Sequence, residues 1–296
     1  MTINTLRKGL NSFQLKIIAL IFMTVDHIAV YVFMPLQVPV VAYEIFRGVG
    51  RIAAPLFLFI VINSAQYTRS KPKLVLRLYV ASVILGLLNI ASSEVLPLGF
   101  FVNGNIFPTF MYTVLYIYLL ENIVNAMRNK RYAHAVCFAV GLLLTYLPTA
   151  LYRWSHQGIL TTFPVLKENI SQVFLIQKVI GAILPNVFEV EYSVSFVLLG
   201  ILWYFVRNRK IQCGLFLLFS AFCFCVINNL FELPGMLYSL TMDLFMGKQY
   251  LMILALPFIY LYNSKKGRSA KWLFYVYYPT HQYLLLIIGF LLTVHT

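Results

Sequence analysis

The segment LKIIALIFMTVDHIAVYVF, Leu15 to Phe33, has the length and apolarity of a membrane-crossing helix, yet it carries Lys16, Asp26 and His27. A charged side chain at the centre of such a helix costs about 2.5–3.5 kcal/mol on insertion scales, so it is expected to face a polar interior and to have a task. Lys16 stands at one end, where its ammonium can snorkel to the membrane surface. Asp26 and His27 stand too deep for that. The eleven-residue step from Lys16 to His27 is about three turns, which places both on one helix face about 16 Å apart. An imidazole can take a proton from a nucleophile or carry an acyl group, and a carboxylate can set its tautomer or pair with a cation.

Adjacent helical residues point about 100° apart, so Asp26 is expected to find its partner on another helix instead of orienting His27. Arg51, in RGVGRIAAPLF at the start of the next apolar run, is the expected partner, either in a working site or in a purely structural ion pair. A second intramembrane imidazole, His281, lies in FYVYYPTHQYLLLIIGF just after Pro279. The proline frees backbone groups that a polar interior can satisfy, and the neighbouring tyrosines supply hydroxyls; a hydrogen-bonded structural histidine is the alternative. Asn63, in VINSAQYT, and Gln249, which opens QYLMILALPFIYLYN, are candidate substrate-binding amides, although helix-helix hydrogen bonds or helix ends also account for such residues. Cys137, Cys213, Cys223 and Cys225 lack metal-ligand spacing and read as inert thiols, so no metal is expected.

The elements that must position these residues follow from composition. Of the 296 residues, 61% are hydrophobic and only 11% charged, and the mean hydropathy is +0.82. A soluble domain of this size is excluded, and the alternating short strands of a barrel are absent. The expectation is an all-α polytopic transmembrane helix bundle, read as a single integral membrane domain over 1–296. Spans are expected at 15–34, 50–67, 74–92, 106–124, 133–151, 190–206, 213–231, 249–262 and 272–294.

The net charge of +14 is distributed by topology. Arg7, Lys8 and Lys16; Arg69, Lys71, Lys73 and Arg77; Arg128, Lys130 and Arg131; Arg207, Arg209 and Lys210; and Lys265, Lys266, Arg268 and Lys271 fall in alternate loops, 17 of the 23 basic residues. That bias is the positive-inside signature, which places the N-terminus in the cytoplasm and removes the need for a nucleic-acid partner. QVFLIQKVIGAILPNVFEV, Gln172 to Val190, would break the parity if it crossed. Its Lys178, Pro185 and acidic end fit an interfacial or re-entrant piece. About nine crossings are therefore expected, with ten as the alternative, and 152–189 is expected to form an external or re-entrant cap. The first apolar run is too long and too polar at Asp26-His27 for a cleavable signal peptide, so the N-terminus is expected to be retained.

The motifs LKIIALIFMTVDH, GRIAAPLFLF, NIFPT, QYLMILALPFIYLYNSKKG and FYVYYPTHQYLL, in this order, resemble the TraX family, named after a conjugation-associated membrane protein that acetylates the pilin N-terminus. The resemblance runs from about residue 15 to 290 and is weakest between 130 and 245. More remotely, a basic residue before a histidine in the first span is similar to acyltransferase family three, whose histidine is held to be catalytic. By that analogy Lys16 and His27 correspond, and KPKLVLR resembles a basic coenzyme-binding segment. The resemblance implies a multi-pass protein of a bacterial plasma membrane that takes an acetyl group from cytosolic acetyl-CoA. The acceptor would be a pilin-like peptide amine or a cell-envelope glycan hydroxyl, met among membrane lipids. His27, Asp26, His281 and Arg51 would carry the chemistry, and Lys16, Arg69, Lys71, Lys73 and Arg77 would hold the coenzyme phosphates. A proton-coupled transporter using Asp26 and His27 is the rival class, and an assembly scaffold without chemistry is the third.

Overall fold

A computed structural model describes residues 9–97, 100–102, 104–153, 170–228, 230, 248–268 and 272–295. Helix α1, Ser12–Ile28, starts at a capping box: Asn11 Oδ1 accepts the Gln14 N–H and Gln14 Oε1 accepts the Asn11 N–H, each at 2.9 Å. A π-turn, Ala29–Phe33, follows directly, and its wider winding is marked by the bond from the Met34 N–H to the Ala29 carbonyl at 3.0 Å. Helices α2, Val40–Gly50, and α3, Ala53–Tyr67, form one apolar run of 28 residues broken at Arg51 and Ile52. The second span thus begins ten residues before the expected start at 50. Pro39 sets the extended entry, and VVAYEIF contains only one charged residue, which a helix surface accommodates.

Downstream lie α4, Lys71–Val95; α5, Phe107–Arg128; α6, Tyr132–Leu144; α7, Leu147–Arg153; α8, Ile170–Ile183; a 3₁₀ turn, Val187–Glu189; α9, Ser193–Phe205; α10, Arg209–Ile227; a 3₁₀ segment, Gln249–Ala255; α11, Leu256–Tyr260; and α12, Leu273–His295. Among the described residues there is no strand; Leu10 and Tyr262 form an isolated bridge. Among the described residues six helical stretches are long and apolar enough to cross a bilayer: Ser12–Phe33, Val40–Tyr67, Lys71–Val95, Phe107–Arg128, Tyr132–Leu151 and Arg209–Ile227. The other expected crossings match shorter or more polar helices. Helix α9 has 13 residues, a rise of about 20 Å against about 30 Å of hydrocarbon. Helix α12 has the length, but its polar run Tyr277 to Tyr283 dilutes its hydropathy. In the segment expected to be a cap, 154–169 lies outside the described residues, and α8 ends before Pro185. Apolar side chains such as Leu143 and Leu218, each about two-thirds exposed, cover the outsides of α6 and α10, as a lipid-facing surface requires.

Two compact units emerge. The first comprises Met1–Gln66, Val95–Val102 and Leu202–Thr296; the second comprises Tyr67–Glu94 and Asn103–Ile201. In the first, Phe59, Trp203 and Phe216 stack edge to face in a buried cluster. Trp203 Nε1 donates to the Gln212 carbonyl at 2.9 Å while Gln212 Nε2 donates to the Trp203 and Val206 carbonyls, both at 2.7 Å, which pins the turn into α10. The segment after α11 is held to the start of α1 by the bonds Leu10 N–H to Leu261 carbonyl, Asn263 N–H to Leu10 carbonyl and Ser12 N–H to Lys265 carbonyl. In the second unit, polar side chains tie helices to irregular backbone. Asn105 Nδ2 donates to the Ser82 carbonyl at 2.9 Å, Thr109 to that of Glu191 at 2.8 Å and Tyr112 to that of Pro185 at 2.5 Å. The bonds to Glu191 and Pro185 give partners to carbonyls outside the helices, and the bond to Ser82 anchors Asn105 on the middle of α4.

Candidate functional site

Helices α1 and α12 bring His27 and His281 together within the first unit. His27 Nδ1 lies 2.6 Å from His281 Nε2. The ring planes are 14° apart with centroids at 4.8 Å, the geometry of two nearly coplanar imidazoles joined edge to edge by that hydrogen bond. His281 Nδ1 in turn lies 2.7 Å from the Tyr277 carbonyl, one turn earlier on α12. A carbonyl only accepts, so Nδ1 of His281 carries a proton; in the neutral ring its Nε2 is then an acceptor, and the shared proton belongs to His27 Nδ1. The remaining nitrogen of His27, Nε2, keeps its lone pair. His27 as a residue is partly exposed while His281 is buried, and the basic nitrogen belongs to the less buried member of the pair.

Tyrosines frame the pair. Tyr31 meets the His27 ring edge to face at 5.5 Å, and Tyr278 lies tilted 6.3 Å from His27 and 6.0 Å from His281. The Tyr277 ring stacks on His281 at 4.9 Å. Its hydroxyl is 2.7 Å from Thr24 Oγ1; because Thr24 donates to the Leu20 carbonyl at 2.9 Å, Tyr277 is the donor to Thr24. At the other end of the contact Gly289 has no room for a side chain, since a Cβ there would collide with the Tyr31 carbonyl. The close approach of α12 to the π-turn therefore depends on that glycine.

Asp26 faces a different neighbour. Its carboxylate forms an ion pair with Arg47 on α2, one turn before the expected partner Arg51. The two arginines are i and i+4 in RGVGR, so one face presents both, and that spacing is the sequence signal for Arg47. Gly50 makes the approach possible: a Cβ there would stand 2.6 Å from Asp26 Oδ1. Arg51 stays within electrostatic reach of Asp26, is 5% exposed, and its Nε has no hydrogen-bond partner among the described residues.

The remaining candidates separate by place. Gln249 is buried at the head of the 3₁₀ segment, which runs along α2: Lys248 pairs with Glu44 at 2.8 Å, and a Cβ at Gly48 would meet Leu251 at 3.0 Å. The hydrogen bond and charge of Glu44 hold the Lys248 ammonium above its ordinary range. Asn63 is occupied locally, donating to the Phe59 carbonyl at 2.7 Å. Lys16 lies near the start of α1 in the first unit, with Lys266 close enough to repel it. Arg69, Lys71, Lys73 and Arg77 belong to the second unit. There Lys71 is paired with Glu121 at 2.7 Å, Arg77 Nε donates to the Lys73 carbonyl at 3.3 Å, and Arg69 and Lys73 are exposed. Among the described residues no cluster of His, Cys, Asp and Glu could hold a metal ion.

An all-helical membrane protein with a hydrogen-bonded histidine pair between the first and last of its described helices is the class that fold and site define. A family model described as TraX protein matches residues 12–289, and the chain belongs to that family. No curated protein and no solved structure matches it.

Proposed function

We propose that the protein is an integral membrane acetyltransferase that moves an acetyl group from acetyl-CoA to a nucleophile on a membrane-embedded or extracytoplasmic acceptor, with His27 Nε2 as the reactive nitrogen. The observation that carries this reading is the directional chain from the Tyr277 carbonyl through His281 to His27, which leaves one unprotonated imidazole nitrogen at a partly exposed position. As a general base, Nε2 takes the proton of the acceptor amine or hydroxyl as it attacks the thioester carbonyl. The C–S bond then breaks, and the departing thiolate receives that proton back from Nε2. As an acyl carrier, Nε2 attacks the thioester carbonyl and the C–S bond breaks to release the thiolate and leave an acetyl-imidazolium; the acceptor then takes the acetyl group, its proton passes to the thiolate, and the Nε2 lone pair is restored. In both, His281 stabilises positive charge on His27 by accepting from Nδ1–H. Lys16, on the same helix about 16 Å from His27, offers a cation at the distance of an extended pantetheine arm.

Family membership supports this reading, as does the cytoplasmic orientation that the basic loops imply for a bacterial plasma membrane. The acceptor is proposed to be a pilin-like peptide or an envelope glycan. The test is transfer of labelled acetyl from acetyl-CoA in membranes carrying the protein. Replacing His281 by Asn should lower the rate and shift the pH profile while acetyl-CoA still stabilises the purified protein against heat. No thermal stabilisation by any coenzyme A thioester in folded protein would exclude the proposal. The transporter reading draws on the helix break at Arg51 and Ile52, a feature carriers share. It predicts pH-dependent flux lost in His27→Gln and no acetyl transfer.

A further inference from the structure

The charges around Asp26 do not balance. Arg47 and Arg51 share the single carboxylate of Asp26, and Asp26 is committed to Arg47 through one oxygen. Arg51 makes no ion pair among the described residues; its buried Nε and the buried Asp26 Oδ1 are both without a hydrogen bond there, so within electrostatic reach of each other two guanidiniums face one carboxylate. An arginine that is 5% exposed inside a membrane protein is a large electrostatic liability unless an anion meets it, because its charge and its Nε–H are withdrawn from water.

The backbone beside Arg51 points to the same ligand. Helix α2 stops at Gly50 and α3 restarts at Ala53, so the break puts the opening turn of a 15-residue helix, itself buried, directly beside Arg51. The first N–H groups of a helix have no partner within it and carry the positive end of the helix dipole. Ala53 and Ala54 cover that backbone with only a methyl group each, and Pro55 removes only one donor. Discontinuous membrane helices use such half-helix ends to hold anionic groups. A guanidinium adds a planar fork that fits a carboxylate or a phosphate.

We propose that Arg51 and the opening turn of α3 form an anion-binding subsite beside the Asp26–Arg47 pair, which takes a carboxylate or phosphate group. The group comes either from the molecule processed at His27 or from a lipid headgroup. The inference does not rest on acetyl transfer; it follows from the charge balance and the helix break, and it stands or falls apart from coenzyme A binding.

The experiment compares wild type, Arg51→Met and Arg47→Met by thermal unfolding in a neutral detergent. Acetate and inorganic phosphate are titrated against chloride at matched ionic strength, and phosphatidylglycerol is set against phosphatidylcholine in mixed micelles. Without added anion, Arg51→Met should unfold at or above the wild-type midpoint, since it removes the excess positive charge of two arginines on one carboxylate, whereas Arg47→Met should unfold several degrees lower. Wild type should gain stability with anion and Arg51→Met should not. A response to acetate or phosphate identifies a soluble anionic group as sufficient, and a response to phosphatidylglycerol alone identifies the headgroup as the source; both support the subsite. Arg51→Lys keeps the charge and loses the fork, so its anion response should fall while its folding is retained. The proposal is overturned if Arg51→Met is destabilised as much as Arg47→Met, or if no anion separates wild type from the Arg51 variants.

Discussion

Asp26 and His27 are neighbours in sequence and opposites in surroundings. Asp26 is buried against α2 and held by Arg47, with Gly50 cleared of a side chain to admit it. His27 is partly exposed, turned toward α12, and joined to a neutral chain that ends on a backbone carbonyl. One face of α1 is therefore organised around charge and close packing, the other around proton position. The lesson is that the pair is not a dyad. The carboxylate fastens helices, and the imidazole is left available because another histidine fixes its tautomer.

The largest effect that would sharpen this contrast is on His27. In His27→Gln the acetyl transfer rate should fall by about 10²–10⁴ while the thermal midpoint in detergent stays near wild type. A loss of folding instead would put His27 on the structural side. Arg47→Met should act the other way, lowering unfolding stability by about 2–4 kcal/mol in steric-trap or denaturant measurements. That is somewhat less than a fully buried pair would lose, because about a quarter of the Arg47 side chain remains exposed. The folded fraction of that variant should still transfer acetyl groups.

A smaller effect is expected from Gly50→Ala, whose added methyl must push Asp26 and α1 away. A loss of about 1–3 kcal/mol, with the Gly48→Ala variant less affected, would assign the cost to Asp26 and not to helix propensity. Gly48 meets only the end of a leucine side chain, which can move. The smallest is Tyr277→Phe, which deletes the hydroxyl that donates to Thr24 and keeps the ring stacked on His281. It should cost about 0.5–1.5 kcal/mol of stability and leave the transfer rate within a few fold. A rate loss comparable with His27→Gln would move Tyr277 from the frame of the site into its chemistry.

Much of this is legible in the amino-acid sequence. Long apolar runs with short polar links dictate membrane helices because backbone groups in hydrocarbon must pair within their own segment. The polar exceptions within those runs, Asp26, His27, Arg51 and His281, stand out because each carries an insertion cost that lipid does not offset. The shorter helices are harder to recognise. Apolar segments such as Gln249–Tyr260 resemble crossings by composition, and only the winding and the length of the actual helix distinguish them.

What the chain alone determined is which side chains are out of place in lipid and roughly where along the helices they stand, because hydropathy and the 3.6-residue period act locally. Partner choice was decided by the tertiary structure. His27 and His281 are 254 residues apart, and Asp26 had two arginines on one helix face to choose from. Close approach at Gly50 and Gly289, together with the π-turn after His27, selected Arg47 for the carboxylate and a histidine for the imidazole. Such selection depends on backbone distances of a few ångströms between remote segments, a quantity that no local pattern in the sequence encodes.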